Sequence, residues 1–158
     1  MKARTIPMET TTVSVEKTLG QIQAFLWDVG ATEVNFRRAE GSPMEVRFSL
    51  PLLGANVWFA LPARTDPVFE YLQGRRSPRS RDQRKAGEIA GAKRAPMIAW
   101  RQVYLWIKAQ WAMIFTGMVK PEEVFMPYMV DNNGKTFFEA LERTGFKGFL
   151  LTEGSKGK

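Results

Sequence analysis

The chain has 158 residues, 44% of them hydrophobic and 25% charged, with 23 basic against 16 acidic side chains and neither histidine nor cysteine. That length suits one domain with its own core. The missing residue types exclude disulfides, thiolate metal sites and acid–base catalysis by histidine.

The first residues, Met1 to Thr12, are polar and lack an apolar signal core. Secretion is therefore not expected, and the absence of cysteine fits a reducing, cytoplasmic setting. Thr5 to Thr12 alternate weakly and are rich in threonine, which predicts an edge strand. Ser14 reads as a helix N-cap. Behind it Val15, Leu19, Ile22, Leu26 and Val29 fall at helical spacing, and Gly30 closes the helix.

A β region follows. Val34 and Phe36 alternate with Glu33, Asn35 and Arg37. After a turn at Glu40 to Pro43, Met44, Val46, Phe48 and Leu50 form a dry face against Glu45, Arg47 and Ser49. Beyond Pro51 and Gly54, Val57, Phe59 and Leu61 point inward while Asn56, Trp58 and Ala60 point outward. The pattern predicts a three-stranded antiparallel meander on the first helix.

Asp66-Pro67 reads as N-cap and first position of a short helix through Leu72. Gln73 to Arg81 is a polar, basic segment expected to be mobile. Helix resumes near Arg81, and Pro96 marks a kink or a new start. Trp100, Tyr104, Ile107, Trp111 and Ile114 keep a four-three spacing, with Trp106 and Met113 on a neighbouring face, so burial from several sides is predicted. Met97 to Phe115 is long enough for a membrane span, but Arg101, Gln102, Lys108 and Gln110 interrupt it. No membrane partner is expected.

Gly117 ends the long helix. Lys120-Pro121 opens a short helix that Pro127 stops. Asn132-Asn133-Gly134 is a turn, and Thr136 with Glu139 forms a capping box for a last helix to about Arg143, ended by Gly145. The tail from residue 151 onward reads as disordered. The class is α+β: a small antiparallel sheet packed on an N-terminal helix, then a long buried helix and short C-terminal helices. The expected division is a sheet region over 1–73, a basic linker over 74–81, a helical region over 82–150 and the tail 151–158, in one compact domain.

The formal charge of +7 is concentrated. Between Arg75 and Arg101 lie nine bases, namely Arg75, Arg76, Arg79, Arg81, Arg84, Lys85, Lys93, Arg94 and Arg101, against Asp82 and Glu88. Elsewhere bases and acids cancel. Such a field attracts a polyanion, and arginine also stacks on bases. The plainer reading is a solvated linker. The rings of the long helix belong mainly to a core. Arg101 and Lys108, seven residues apart, share a face of that helix and are its ligand-facing candidates.

On the outer sheet face Arg37, Arg47 and Trp58 stand together, an aromatic among bases as single-strand platforms use. A solvated face with a stray tryptophan, or one covered by C-terminal helices, is the alternative. Asp131 to Glu142 fails as a calcium loop because Thr136 replaces the required glycine and Lys135 occupies a ligand position. Gly87 to Lys93 lacks phosphate-loop spacing; its small residues instead permit close approach by another element.

Several segments resemble a group of small, uncharacterised proteins of bacteriophages and prophages. They are Thr10-Thr11-Thr12 with Glu16-Lys17-Thr18, Gly30-Ala31, Ala99-Trp100-Arg101, Trp106, Ala109-Gln110, Gly117-Met118-Val119, Glu123-Val124-Phe125 and Pro127-Tyr128. The likeness spans Ile6 to Leu141 and carries no established activity. It implies a virus-encoded protein acting in the host cytoplasm, in viral DNA metabolism or against a host defence.

The expected function is non-catalytic binding of single-stranded DNA, without a cofactor or metal. Arg75, Arg76, Arg79, Arg81, Arg84, Lys85, Lys93 and Arg94 would meet phosphates, and Trp58, Arg37 and Arg47 would stack. The site is expected where the rear of the basic stretch, Lys93 to Arg101, meets the outer sheet face. The apolar excess of the long helix is consistent with a homo-oligomer. Two other readings stay open: a pocket that sequesters a small anionic nucleotide signal with a few of the same arginines, and a virion structural or adaptor protein that docks through exposed aromatics.

Overall fold

The computed structural model describes residues 5–150, and the expected tail lies outside them. The class is α+β, with 51% helix and 20% strand. The elements are α1 (Val15–Asp28), β1 (Glu33–Ala39), β2 (Ser42–Leu52), β3 (Ala55–Pro62), α2 (Thr65–Gly74), α3 (Arg81–Phe115), α4 (Pro121–Phe125) and α5 (Phe137–Arg143), with a single 3₁₀ turn at Met126–Tyr128.

Local chemistry sets most boundaries. The Ser14 hydroxyl accepts from the Lys17 N–H at the start of α1, and Gly30 takes the positive φ of +100° that lets the chain leave it. The strands run in the order β1-β2-β3, all antiparallel. Both hairpins close through two residues at positive φ, Glu40-Gly41 and Leu53-Gly54, the geometry that matches strand twist. Pro51 lies inside β2 rather than after it. Ser49 turns its carbonyl to Thr32 on the β1 side, so Pro51, two residues on, turns its missing donor the same way, past the end of β1 at Glu33.

Alternation along the strands resolves one dry face. Val46, Phe48, Leu50, Phe59 and Leu61 are buried, and Val34, Phe36 and Val57 pack beside them. Met44, at the strand entrance, is 44% exposed and not part of that face. Leu19, Ile22 and Leu26 of α1 and Ala99, Trp100, Ile107 and Trp111 of α3 cover it. Trp100 meets Phe36 edge-on at 5.8 Å, and Phe125 of α4 sits among Phe48, Phe59, Trp106 and Trp111. Burying each such large apolar side chain contributes roughly 1.5–3 kcal/mol. The tryptophans of α3 are thus core, as their spacing predicted.

Four expectations need correction. The segment from Thr5 to Thr12 is no strand: turns occupy it, with Glu9 N–H donating to the Ile6 carbonyl and Thr11 N–H to the Met8 carbonyl. It pairs with no strand of the sheet, and its contacts run to Arg75, just past α2, and to α3. α2 begins at Thr65 behind Arg64, whose side chain makes no capping bond, so Asp66 is inside the helix rather than its cap. Pro96 lies within one continuous α3 of 35 residues, so it is not a new start. Finally, α3 is not buried throughout: nearly every side chain from Arg81 to Lys93 is exposed or part-buried, only Gly87 and Gly91 being buried, because this part lies ahead of the core residues. The 3₁₀ turn also carries the chain through Pro127.

The C-terminal elements close the free edge of β3. Val130 N–H donates to the Trp58 carbonyl at 2.8 Å, and Met129 bridges to Phe59. Asp131 to Lys135 forms a turn in which the Asp131 carboxylate accepts from the Asn133 and Lys135 N–H groups. Thr136 and Glu139 then form the predicted capping box on α5. Among the described residues no helix is long and apolar enough to cross a membrane.

Candidate nucleic-acid interface

The basic stretch forms the tip and one flank of a helical hairpin. Gln73 contacts Gly87, and Phe69, earlier in α2, contacts Gly91, later in α3; that reversed order makes the two helices antiparallel. Gly87 and Gly91, one turn apart, are the bare strip that lets α2 approach. A Cβ at Gly91 would stand 3.2 Å from the Phe69 ring, and the Gln73 amide donates to the Gly87 carbonyl at 3.2 Å. The buried apolar residues of α3 begin at Ala95. At 1.5 Å per residue, about 20 Å of helix therefore extends ahead of them. The connection between the helices shortens to residues 75–80.

The nine bases have different fates. Arg79, Arg81, Arg84, Lys85 and Lys93 are exposed, and among the described residues none of the five enters an ion pair. Arg81, Lys85, Ile89 and Lys93 recur every four residues and form one ridge, with Ile89 72% exposed between the lysines. Asp82 and Glu88 lie on the same helix without neutralising them.

Arg75, Arg76 and Arg94 instead converge. With Glu9, Thr10 and Leu72 they line a pocket of about 250 Å³. Arg75 Nη1 lies 2.5 Å from Glu9 Oε1 and 3.1 Å from the Tyr71 hydroxyl. The Tyr71 hydrogen bond first, and then the Glu9 charge, push the Arg75 guanidinium above its ordinary range. Arg94 donates through Nη2 to the Glu9 carbonyl, while its buried Nε has no partner. The segment expected to be mobile is thus anchored at Arg75. The reason is an acid 66 residues away, on a segment whose sequence read as a strand.

Arg101 turns inward, donating through Nη1 to Gln21 and, at 3.5 Å, to Thr18 of α1. It does share a face with Lys108, as spacing predicted: both cations sit over the Tyr104 ring, at 4.9 and 5.2 Å. Arg101 is consequently not free to face a ligand.

Arg37, Arg47 and Trp58 do lie on one sheet face. Glu45 joins them: its Oε1 is 2.6 Å from Arg47 Nε and 3.6 Å from Arg37 Nη1. One carboxylate thus takes up both arginines, and Trp58 is only part-exposed beside buried Ser49 and Ala60. The expected meeting of this face with the rear of the basic stretch does not occur. The apolar side of α3 packs on the opposite, dry face, where its tryptophans find Phe36 and the phenylalanine cluster.

A second, larger cleft of about 600 Å³ opens between the end of β3 and α3, floored by Leu61, Val68, Val103, Trp106 and Tyr128. Sequence spacing placed Leu61 and Trp106 in the core and gave no sign that they also line a cavity; it did not single out Val68, Val103 or Tyr128. Among the described residues no group of three or more Asp and Glu side chains gathers as a metal site. Comparison with protein-family models, curated proteins and solved structures finds no match, and so neither supports nor opposes the phage resemblance.

Proposed function

We infer that the chain is a non-catalytic nucleic-acid-binding protein that holds phosphate backbones against the α2–α3 hairpin, with single-stranded DNA as its ligand. One observation carries this reading: five exposed cations without an ion pair among the described residues, Arg79, Arg81, Arg84, Lys85 and Lys93, cluster on a part of the hairpin that lies ahead of the core residues of α3. Each phosphate neutralised releases counterions, so affinity falls as salt rises. Ile89 on the same ridge offers an apolar contact to an unstacked base. A role in viral DNA metabolism agrees with the phage resemblance, which implies either that or action against a host defence.

The sheet platform is secondary in this reading, since Glu45 already pairs with Arg47 and lies 3.6 Å from Arg37, which offsets one of their two charges. The test is binding of labelled dT oligonucleotides at two salt concentrations. Affinity should grow with oligonucleotide length and drop steeply between about 50 and 200 mM salt. Absence of binding at the lower salt sinks the proposal. Duplex of equal length binding more tightly would replace the single strand by duplex as the ligand.

A further inference from the structure

The pocket beneath the hairpin tip has chemistry that the exposed ridge lacks. Its three guanidinium groups and one carboxylate sum to +2. Arginine forks match phosphate oxygens in pairs. The buried Arg94 Nε is an N–H left without an acceptor, a costly state unless something supplies one. Arg76 reaches the same space across Gly87, where a Cβ would collide with its guanidinium, so the glycine leaves room for the third fork. Glu9 occupies the position of an internal anion: its carboxylate engages Arg75, and the main-chain oxygen of the same residue engages Arg94.

We propose that Arg75, Arg76 and Arg94 form a discrete site for a terminal phosphate monoester, which the Glu9 carboxylate fills until the ligand displaces it. A monoester near neutral pH carries about −1.5 to −2 charges, so it competes for the three guanidinium groups better than the single charge of the Glu9 carboxylate or of a backbone diester. A volume of about 250 Å³ also suits a single phosphate with part of its sugar rather than a run of nucleotides. The source is the phosphorylated end of a strand or a free mononucleotide, and the same chemistry serves both. The site extends the nucleic-acid reading where a strand end is the source and stands without it where a free nucleotide is.

The experiment compares the full chain's affinity for dT oligonucleotides carrying a 5′-phosphate or a 5′-hydroxyl, with thymidine monophosphate as competitor. The phosphorylated strand should bind roughly tenfold more tightly, the scale of one charge-assisted hydrogen bond. If thymidine monophosphate binds alone, the site takes free nucleotides; if only the phosphorylated strand gains, it takes strand ends. Glu9→Gln should raise affinity for the monoester, and Arg76→Ala should bring the phosphate-to-hydroxyl ratio to one. Equal affinities for the two strands, with no binding of thymidine monophosphate, overturn the proposal. An unchanged monoester affinity in Glu9→Gln overturns the role of Glu9. The hydroxyl strand reads the ridge alone, so its failure to bind condemns the hairpin reading and leaves the pocket standing.

Discussion

Single residues decide how close the elements come. Gly91 is buried where Phe69 and Gln73 of α2 press on α3. In an isolated helix, replacing glycine by a β-branched residue improves propensity by a few tenths of a kcal/mol. Here the added atoms meet a ring already 3.2 Å from the ideal Cβ position. Overpacking outweighs the propensity gain, so Gly91→Val should destabilise the protein by about 1–3 kcal/mol. Thermal melts check this, and an unchanged midpoint would show that the hairpin is looser than its contacts indicate. The sequence made the bare strip at Gly87 and Gly91 visible, because small residues one turn apart announce close approach. It could not name α2 as the element that approaches. Glu9 left no signal at all: an isolated acid in a threonine-rich stretch looks solvated until folding sets Arg75 and Arg94 against it.

At the scale of elements, local chemistry was the more legible. α1 was readable from cap to cap, since Ser14, an apolar stripe and Gly30 all point to the same helix. The capping box on α5 and both dry strand faces were equally plain. The errors fall where an element depends on a distant partner. Thr5 to Thr12 has a strand-like pattern but pairs with no strand of the sheet, and Pro96 opens no new helix because it is carried within α3, whose tertiary packing persists. Helix capping offers a quantitative check. The Ser14 hydroxyl satisfies one orphan N–H of α1, and nothing else in the described contacts accepts from Lys17 N–H at that end. Ser14→Ala should cost about 1 kcal/mol, with Ser14→Asp retaining most of the stability. Denaturant midpoints at constant slope would measure it; equal loss in both variants would mean that the hydroxyl acts through packing rather than capping.

For the whole molecule the main question is how a net charge of +7 is arranged in space. The sequence located the charge along the chain but not its division by folding. Arg94 and Arg101 lie partly buried and bonded to other segments, Arg75 is paired with Glu9, and Glu45 offsets one of the two charges of Arg37 and Arg47. Of the nine bases in the stretch, the five that stay exposed without an ion pair among the described residues sit on the hairpin ridge and its turn. The two surfaces that the sequence joined into one site lie on opposite sides of the sheet, because the same tryptophans that border the basic stretch must bury themselves on the dry face. A charge pattern therefore predicts attraction to a polyanion, while hydrophobic packing decides which cations are left to provide it.

That division can be measured through salt dependence. On a single strand each phosphate contact contributes about 0.7 to the slope of log affinity against log salt. Replacing Arg79, Arg81 and Arg84 by alanine removes three exposed cations that hold no ion pair among the described residues. If all three meet phosphates, the slope should flatten by about 2. Their exposure implies little cost to stability, within about 0.5 kcal/mol for each change. Arg37→Ala with Arg47→Ala removes two cations as well, but ones that already share Glu45, so the slope should hardly move. Arg37 and Arg47 thus serve as the internal control for net charge. A slope that responds to both sets in proportion to charge alone would mean that the strand senses the molecule's overall field. Flattening confined to the hairpin set would place the contacts on the hairpin.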